Sequence, residues 1–167
     1  IAICAVAWPE FKDADTWLSH ALEKSSAELF KQTYPDGAYL ELANHYQKVV
    51  AENFLRLLRI VDRTPRIAAQ PAFAERIEEM WHYFAYVTRP SGFGPLNSDS
   101  SLEDNQSIVR EANRYFKRPD WAHIVSWGER GVAPLEPASR YFEWAGHALM
   151  RDSWKRTSQW AFFDIGP

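Results

Sequence analysis

Apolar residues recur at helical spacing along most of the chain. Over about residues 15–32, Trp17, Leu18, Ala21, Leu22, Leu29 and Phe30 share one face. Asp13 or Asp15 stands where that helix needs a cap, after a break at Pro9. Ahead of Pro9, the run Ile1-Ala-Ile-Cys-Ala-Val-Ala-Trp8 reads as the end of a buried helix. A helix is expected over about 43–61, with the stripe Val50, Phe54, Leu57, Leu58 and Val61 and with Val49 and Asn53 alongside. Another is expected over 71–88, opening on Pro71 and turning Phe73, Ile77, Met80, Trp81, Phe84 and Val87 inward. Tyr34-Pro-Asp-Gly37 is a turn, because proline fixes φ and glycine accepts positive φ. The stretch 89–100 is a loop by composition. Ser100 or Ser101 is expected to open a helix ending near Phe116, with Glu103 and Asp104 favourable in its first turn. A short helix over 119–127 closes on Gly128. Past Pro134 and Pro137 the pattern shortens to aromatic-rich runs at 141–144, 147–150 and 159–163, which read as strands.

Paired helices followed by about three strands suit an α/α barrel or toroid, and a helical bundle gives the same periodicity, so the pattern leaves both open. The chain opens inside one core element and stops in another, which leads us to expect an internal piece of a longer protein. With 46% apolar and 25% charged residues it has an ordinary globular balance. Its 8 Trp, 7 Tyr and 10 Phe allow sugar stacking, although large core residues between helices account for most of them. A net charge of −3 argues against a nucleic-acid partner and gives no global pull on a polyanion, so any such attraction rests on local Arg and Lys placement. The lone Cys4 excludes an internal disulfide and a cysteine-based zinc site. His20, His45, His82, His123 and His147 show no ligand spacing, so no metal site is expected. No apolar run reaches the roughly 18 residues that would span a bilayer.

Four segments in order carry a resemblance. Trp8-Pro-Glu-Phe-Lys-Asp-Ala-Asp-Thr-Trp17 is similar to F-P-E-F-x-x-A-x-x-W. Tyr34-Pro-Asp-Gly-Ala-Tyr-Leu-Glu-Leu-Ala-Asn-His-Tyr46 is similar to P-D-G-x-x-x-E-x-S/T-x-x-Y-H. Gly94-Pro-Leu-Asn-Ser-Asp99 lies where a P-x-x-N/G-D loop is found. Gly146-His-Ala-Leu-Met-Arg-Asp-Ser-Trp154 with Phe162-Phe-Asp-Ile-Gly-Pro167 resembles G-x-x-x-M-R-S-x-W followed by F-D-x-G-P. Together they resemble the heparinase II/III-like polysaccharide lyases. Two positions depart from the pattern, Ala43 for Ser/Thr and Gln47 for the histidine after the tyrosine.

The resemblance implies a mainly α fold: an incomplete α/α toroid of antiparallel helix hairpins over 1–134, then the first strands of a β-sandwich domain over 135–167. It implies β-elimination on a uronic-acid polysaccharide of glycosaminoglycan or alginate type. In that reaction the proton at carbon 5 is removed, the carboxylate is neutralised, and the leaving oxygen is protonated. Tyr46 is the catalytic candidate by position, because a neutral tyrosine is a competent donor to an alkoxide-like leaving group. Asn44, His45, Tyr39 and Glu41 are the substrate-binding candidates. Capping the helix explains Asn44 equally well, and Glu41 also suits the helix start. The carboxylate neutraliser, the general base and any divalent metal are expected outside this stretch, so residues 1–167 alone are expected to be inactive. The expected partners are an acidic polysaccharide and the rest of the same chain, with no nucleic acid and no membrane. Open strand edges leave oligomers in view. The resemblance also implies a periplasmic or secreted location. Two other readings stand beside the enzyme: a non-catalytic carbohydrate-binding domain, and a structural helical domain. The last predicts that Tyr46 and Trp81 are both buried.

Overall fold

The computed structural model describes residues 1–166, and its elements follow the predicted periods closely. Helix α1 (Ala2–Ala7) turns Ala2 and Ala5 onto α2 (Ala14–Gln32), which buries Ala14, Leu18, Ala21 and Leu29. Phe30, expected on that face, is 42% exposed; it lies one residue past Leu29, about 100° around the helix, under the guanidinium of Arg76. Helix α3 (Asn44–Asp62) buries Gln47, Ala51, Leu55, Leu58 and Val61. Its contact face is therefore rotated from the predicted stripe, of which Val50, Phe54 and Leu57 are only half-buried. The rotation follows from Gln47, a polar residue that enters the core because all its hydrogen bonds are met there.

Helix α4 (Pro71–Val87) is the centre of the molecule. It buries Phe73 and Ile77 on one face and every residue from Met80 to Val87, as a helix surrounded on all sides must. Helices α2, α3, α5 (Asn105–Phe116) and α6 (Pro119–Ile124) pack around it. Two polar residues enter this core with partners: Trp121 Nε1 donates to His82 Nδ1 at 3.2 Å, and Tyr83 Oη donates to His147 Nδ1 at 2.6 Å. Burial pushes the Tyr83 hydroxyl far above the ordinary tyrosine range and His147 below the ordinary histidine value. Both groups are therefore neutral, and the bond between them costs no buried charge.

Strands β1 (Arg140–Phe142), β2 (His147–Arg151) and β3 (Trp160–Asp164) form an antiparallel sheet in that order, with Phe142 opposite His147 and Leu149 opposite Phe162. Phe142, Ala145 and Leu149 belong to the same apolar core as α4, so the sheet and the helices share one interior. Arg151 reaches from β2 to the carbonyl of Thr88 at the end of α4. Pro167, the last residue of the F-D-x-G-P segment, lies outside the described residues.

Three boundaries differ from expectation. Helix α5 starts at Asn105, not at residue 100 or 101, with Asp104 as its cap accepting from Ser107 N at 3.0 Å. The segment before it stays extended because Ser100 and Glu103 bind α3 instead. Helix α6 ends at Ile124, and the chain turns through Trp127 and Gly128, both at positive φ. Strand β1 stops at Phe142 because the next peptides, Trp144 N and Ala145 N, are taken by the Asp36 carboxylate at 3.0 and 3.1 Å.

Candidate functional site

The P-D-G turn is a docking element. Gly37 has φ +86°, and a Cβ there would stand 2.1 Å from the carbonyl oxygen of Glu79, so only glycine lets the turn lie on the backbone of α4. Gln47 fastens it: its amide donates to Gly37 O at 2.9 Å and Met80 O at 3.0 Å, and its oxygen accepts from Tyr39 N at 2.6 Å. The residue that departs from the family pattern thus joins turn, α3 and α4. The chain then climbs through Leu42, at φ +54°, into α3.

This path presents Tyr39, Glu41, His45 and Tyr46 along the start of α3, facing the loop over 97–104. Tyr46 Oη makes a long hydrogen bond to Asp99 Oδ2 at 3.4 Å. The Asp99 charge, then that hydrogen bond, push the Tyr46 hydroxyl above its ordinary pKa. The ring of His45 meets that of Tyr46 edge-on at 5.3 Å, and its Nδ1 lies 2.7 Å from Glu103 Oε1. Lys48 donates to the other Glu103 oxygen at 2.8 Å, and Ser101 Oγ donates to Oε1 at 3.0 Å. Tyr39 donates to Glu41 at 3.2 Å; burial, then the Glu41 charge, raise its pKa, and Tyr46 lies close enough to add to the shift. The arrangement is an open polar surface carrying a protonated phenol beside an imidazole whose orientation is set by a carboxylate. It can donate a proton and can bind hydroxyl or anionic groups.

Asn44, expected among the substrate-binding residues, is placed differently. It is 3% exposed, and its amide exchanges hydrogen bonds with that of Asn105 at 3.1 and 2.9 Å. It is also not the cap, a position held by Ala43. With both amide ends engaged under Gly94, Asn44 joins α3 to α5 from beneath and presents no face to a ligand. Its backbone N–H is met by Ser100 Oγ at 2.8 Å, and the Asn97 amide binds the Leu42 carbonyl.

The residues that sequence reasoning missed all lie on this facing segment: Asp99, Ser101, Glu103 and, from α3 itself, Lys48. Asp99 had a signal, because it ends the Gly94–Asp99 motif. Glu103 had none, since His45 and Lys48, which it binds on α3, are more than fifty residues away. Burial works against ionisation of the Glu103 carboxyl, but hydrogen bonds from Lys48, His45 and Ser101 outweigh it and bring its pKa down to about 2. A carboxyl depressed from 4.5 contributes stability that is complete above about pH 4.5 and lost as pH falls toward 2. On the order of 1–2 kcal/mol is expected after solvent screening. Glu103→Gln should therefore flatten the acid limb of stability measured by denaturant unfolding between pH 5 and 2. Equal slopes for both proteins would exclude the assignment.

Two clefts of about 530 and 540 Å³ lie elsewhere, one between α1, α3 and α5 and one between α2 and α4. Neither brings a tyrosine, an imidazole and carboxylates together, as the surface around Tyr46 does. Among the described residues, no three His, Cys, Asp or Glu side chains are grouped to hold a metal ion, and no helix is long and apolar enough to cross a membrane.

Comparison with known proteins gives a consistent result. Residues 1–122 match the family described as Heparinase II/III N-terminus. A heparin-sulfate lyase of Bacteroides stercoris is 26% identical over 165 residues, covering 96% of this chain and 25% of its own length. A second, from Bacteroides thetaiotaomicron, is 24% identical over 174 residues, with 95% and 25% coverage. The crystal structure of heparan sulfate lyase HepC from Pedobacter heparinus aligns with a TM-score of 0.87 at 22% identity, over 99% of this chain and 27% of that one. A heparinase III structure aligns at 0.77 with 19% identity. The chain spans about a quarter of the length of the curated relatives it matches. The structural likeness is one of fold: helix hairpins of an α/α toroid, followed by antiparallel strands.

Proposed function

This chain belongs to the heparinase II/III N-terminus family, and from that premise we propose that it forms part of a polysaccharide lyase that cleaves a uronic-acid glycosaminoglycan of heparan sulfate type by β-elimination. The observation that carries the reading is Tyr46: half-buried, on the first turn of α3, its hydroxyl held by Asp99 and shifted toward the protonated form. In this mechanism Tyr46 gives its proton to the leaving glycosidic oxygen. His45, oriented by Glu103, and Tyr39, paired with Glu41, contact the sugar on either side. Because Nδ1 of His45 faces Glu103, its Nε2 is left for the substrate. The general base and the group that neutralises the substrate carboxylate are assigned to no residue of this chain, and residues 1–167 alone are proposed to be inactive. We also propose a toroid over 1–134 and a β domain from 135. That division would fall in the connector between the end of α6 at Ile124 and the start of β1 at Arg140, with the strands packed on the core of the helices. Work on an extracellular polymer goes with a periplasmic or secreted location.

The structural reading requires Tyr46 and Trp81 to be buried together. Trp81 is 1% exposed and Tyr46 is not buried, which favours a surface role for the tyrosine. The test is ultraviolet absorbance of the unsaturated uronate product, using the full-length protein on heparan sulfate, heparin, chondroitin, hyaluronan and alginate. Product from a glycosaminoglycan is expected. No product from any of them, with the protein folded and divalent metal supplied, would leave a sugar-binding domain in its place.

Asp99 gives a pH prediction. If Tyr46 acts as the acid, activity falls at high pH as the phenol ionises. Asp99 raises the pKa of that ionisation, so Asp99→Asn should bring the alkaline limb to lower pH. A limb that stays in place, or moves upward, would exclude Tyr46 as the titrating acid.

A further inference from the structure

Of the nineteen Lys and Arg side chains, some are paired, and several of the others gather near one residue, Trp127. Lys31, Lys48, Arg66, Arg114, Arg118 and Arg140 each meet a carboxylate at ion-pair distance. The cations gathered around Trp127 meet none among the described residues. The guanidinium carbons of Arg110 and Arg156 lie 5.9 and 5.0 Å from the centroid of its ring. Arg89, Arg151, Trp154 and Lys155 line a narrow, nearly filled crevice against the same indole. Arg130 joins Arg110 and Arg114 around an adjoining cleft of about 330 Å³, whose one acidic lining residue is Glu129. In a chain of net charge −3 this is a local reversal of sign, and crowding like charges costs stability unless an anion is bound.

The patch is also held in place. Trp127 Nε1 donates to Pro90 O at 2.8 Å, Arg110 donates to Val125 O at 2.8 Å, and the backbone N–H of Arg130 donates to Ser126 Oγ at 2.9 Å. It is tied to the surface around Tyr46 through the start of α5. Asn105 pairs with Asn44, and Gln106, the next residue, donates to the same Val125 carbonyl that Arg110 binds one turn later. Guanidinium forks match the paired oxygens of carboxylate and sulfate, and the indole steadies two of them from beneath by cation–π contact.

We propose that Trp127, with Arg89, Arg110, Arg130, Lys155 and Arg156, forms a second, non-catalytic subsite for an acidic polysaccharide. The subsite takes the carboxylate or sulfate groups of the chain on its cations, two of which the indole holds in place. This rests on the reading that the protein acts on such a polymer. The subsite lengthens the contact with a long chain beyond the sugars at Tyr46, so it bears on the choice between long and short substrates.

The test compares the full-length protein with the triple variant Arg130→Gln, Lys155→Gln, Arg156→Gln, whose side chains are exposed and make no side-chain hydrogen bond or ion pair in the fold. A second triple, Lys12→Gln, Lys24→Gln, Lys31→Gln, removes the same charge far from the patch. Binding to immobilised heparan sulfate is expected to weaken about tenfold in the first triple and hardly at all in the second. The ratio of KM for a long chain to KM for a short oligosaccharide should rise in the first alone. Equal behaviour of the two triples would overturn the subsite, and so would a duplex DNA of matched charge that binds the patch as well as the polysaccharide does. Should the parent release no unsaturated product while the first triple still loses binding, the lyase reading fails and the subsite stands.

Discussion

Replacing Tyr46 by Phe in the full-length protein is expected to lower kcat/KM on its glycosaminoglycan by about 10²–10⁴-fold, the usual range for loss of a positioned acid, with thermal stability unchanged. The substitution removes one oxygen from a half-exposed side chain whose only hydrogen bond among the described residues is the 3.4 Å contact with Asp99. The ring and its edge-on packing against His45 remain. The fold therefore loses little, and the leaving oxygen must depart as an anion or take its proton from water. The loss should appear mainly in kcat, because the proton is transferred only in the transition state. Kinetics that change only in KM would make Tyr46 a binding residue and move the acid elsewhere.

Gly37→Ala is expected to carry a large stability cost for a single methyl group. The new Cβ would meet the Glu79 carbonyl oxygen at 2.1 Å and the Met80 nitrogen at 2.9 Å, both backbone atoms of the central helix. Neither can move without breaking helical hydrogen bonds, and the positive φ adds its own penalty. About 3 kcal/mol or more is expected, which in a domain of this size is a fall in Tm of roughly 6–12 °C. Gly128→Ala is the control. Its φ of +87° is the same, but its Cβ would meet only the His123 ring at 3.5 Å, so it should cost about 1 kcal/mol. Equal losses at the two sites would mean that backbone angle alone matters and that the turn does not depend on contact with α4.

The P-D-G turn illustrates how far the sequence could be read. Its letters announced a turn before α3, and the resemblance drew attention to Tyr46. That Asp36 would reach across to the peptides of Trp144 and Ala145, more than a hundred residues on, was not legible. Nor was the part played by Gln47, which stands where the family pattern has a histidine. In the fold it is a buried residue with three good hydrogen bonds, and the imidazole near Tyr46 is that of His45. Asn44 was misread in the opposite direction: its polar character suggested contact with substrate, whereas Asn105 claims both ends of its amide.

The sequence by itself determined the helices, the switch to short strands and the inward face of α4, because these depend on the spacing of apolar residues along a few turns of chain. It also determined the turn that leads to Tyr46, because proline and glycine restrict the backbone locally. Only the tertiary structure decided which polar residues meet. The Glu103 clamp on His45 and Lys48, the Asp99 contact with Tyr46 and the ring of unpaired cations around Trp127 all join residues separated by tens of positions. Hydrogen bonds and ion pairs act over a few ångströms between whichever side chains the packed core brings together, and they leave no period in the sequence to read.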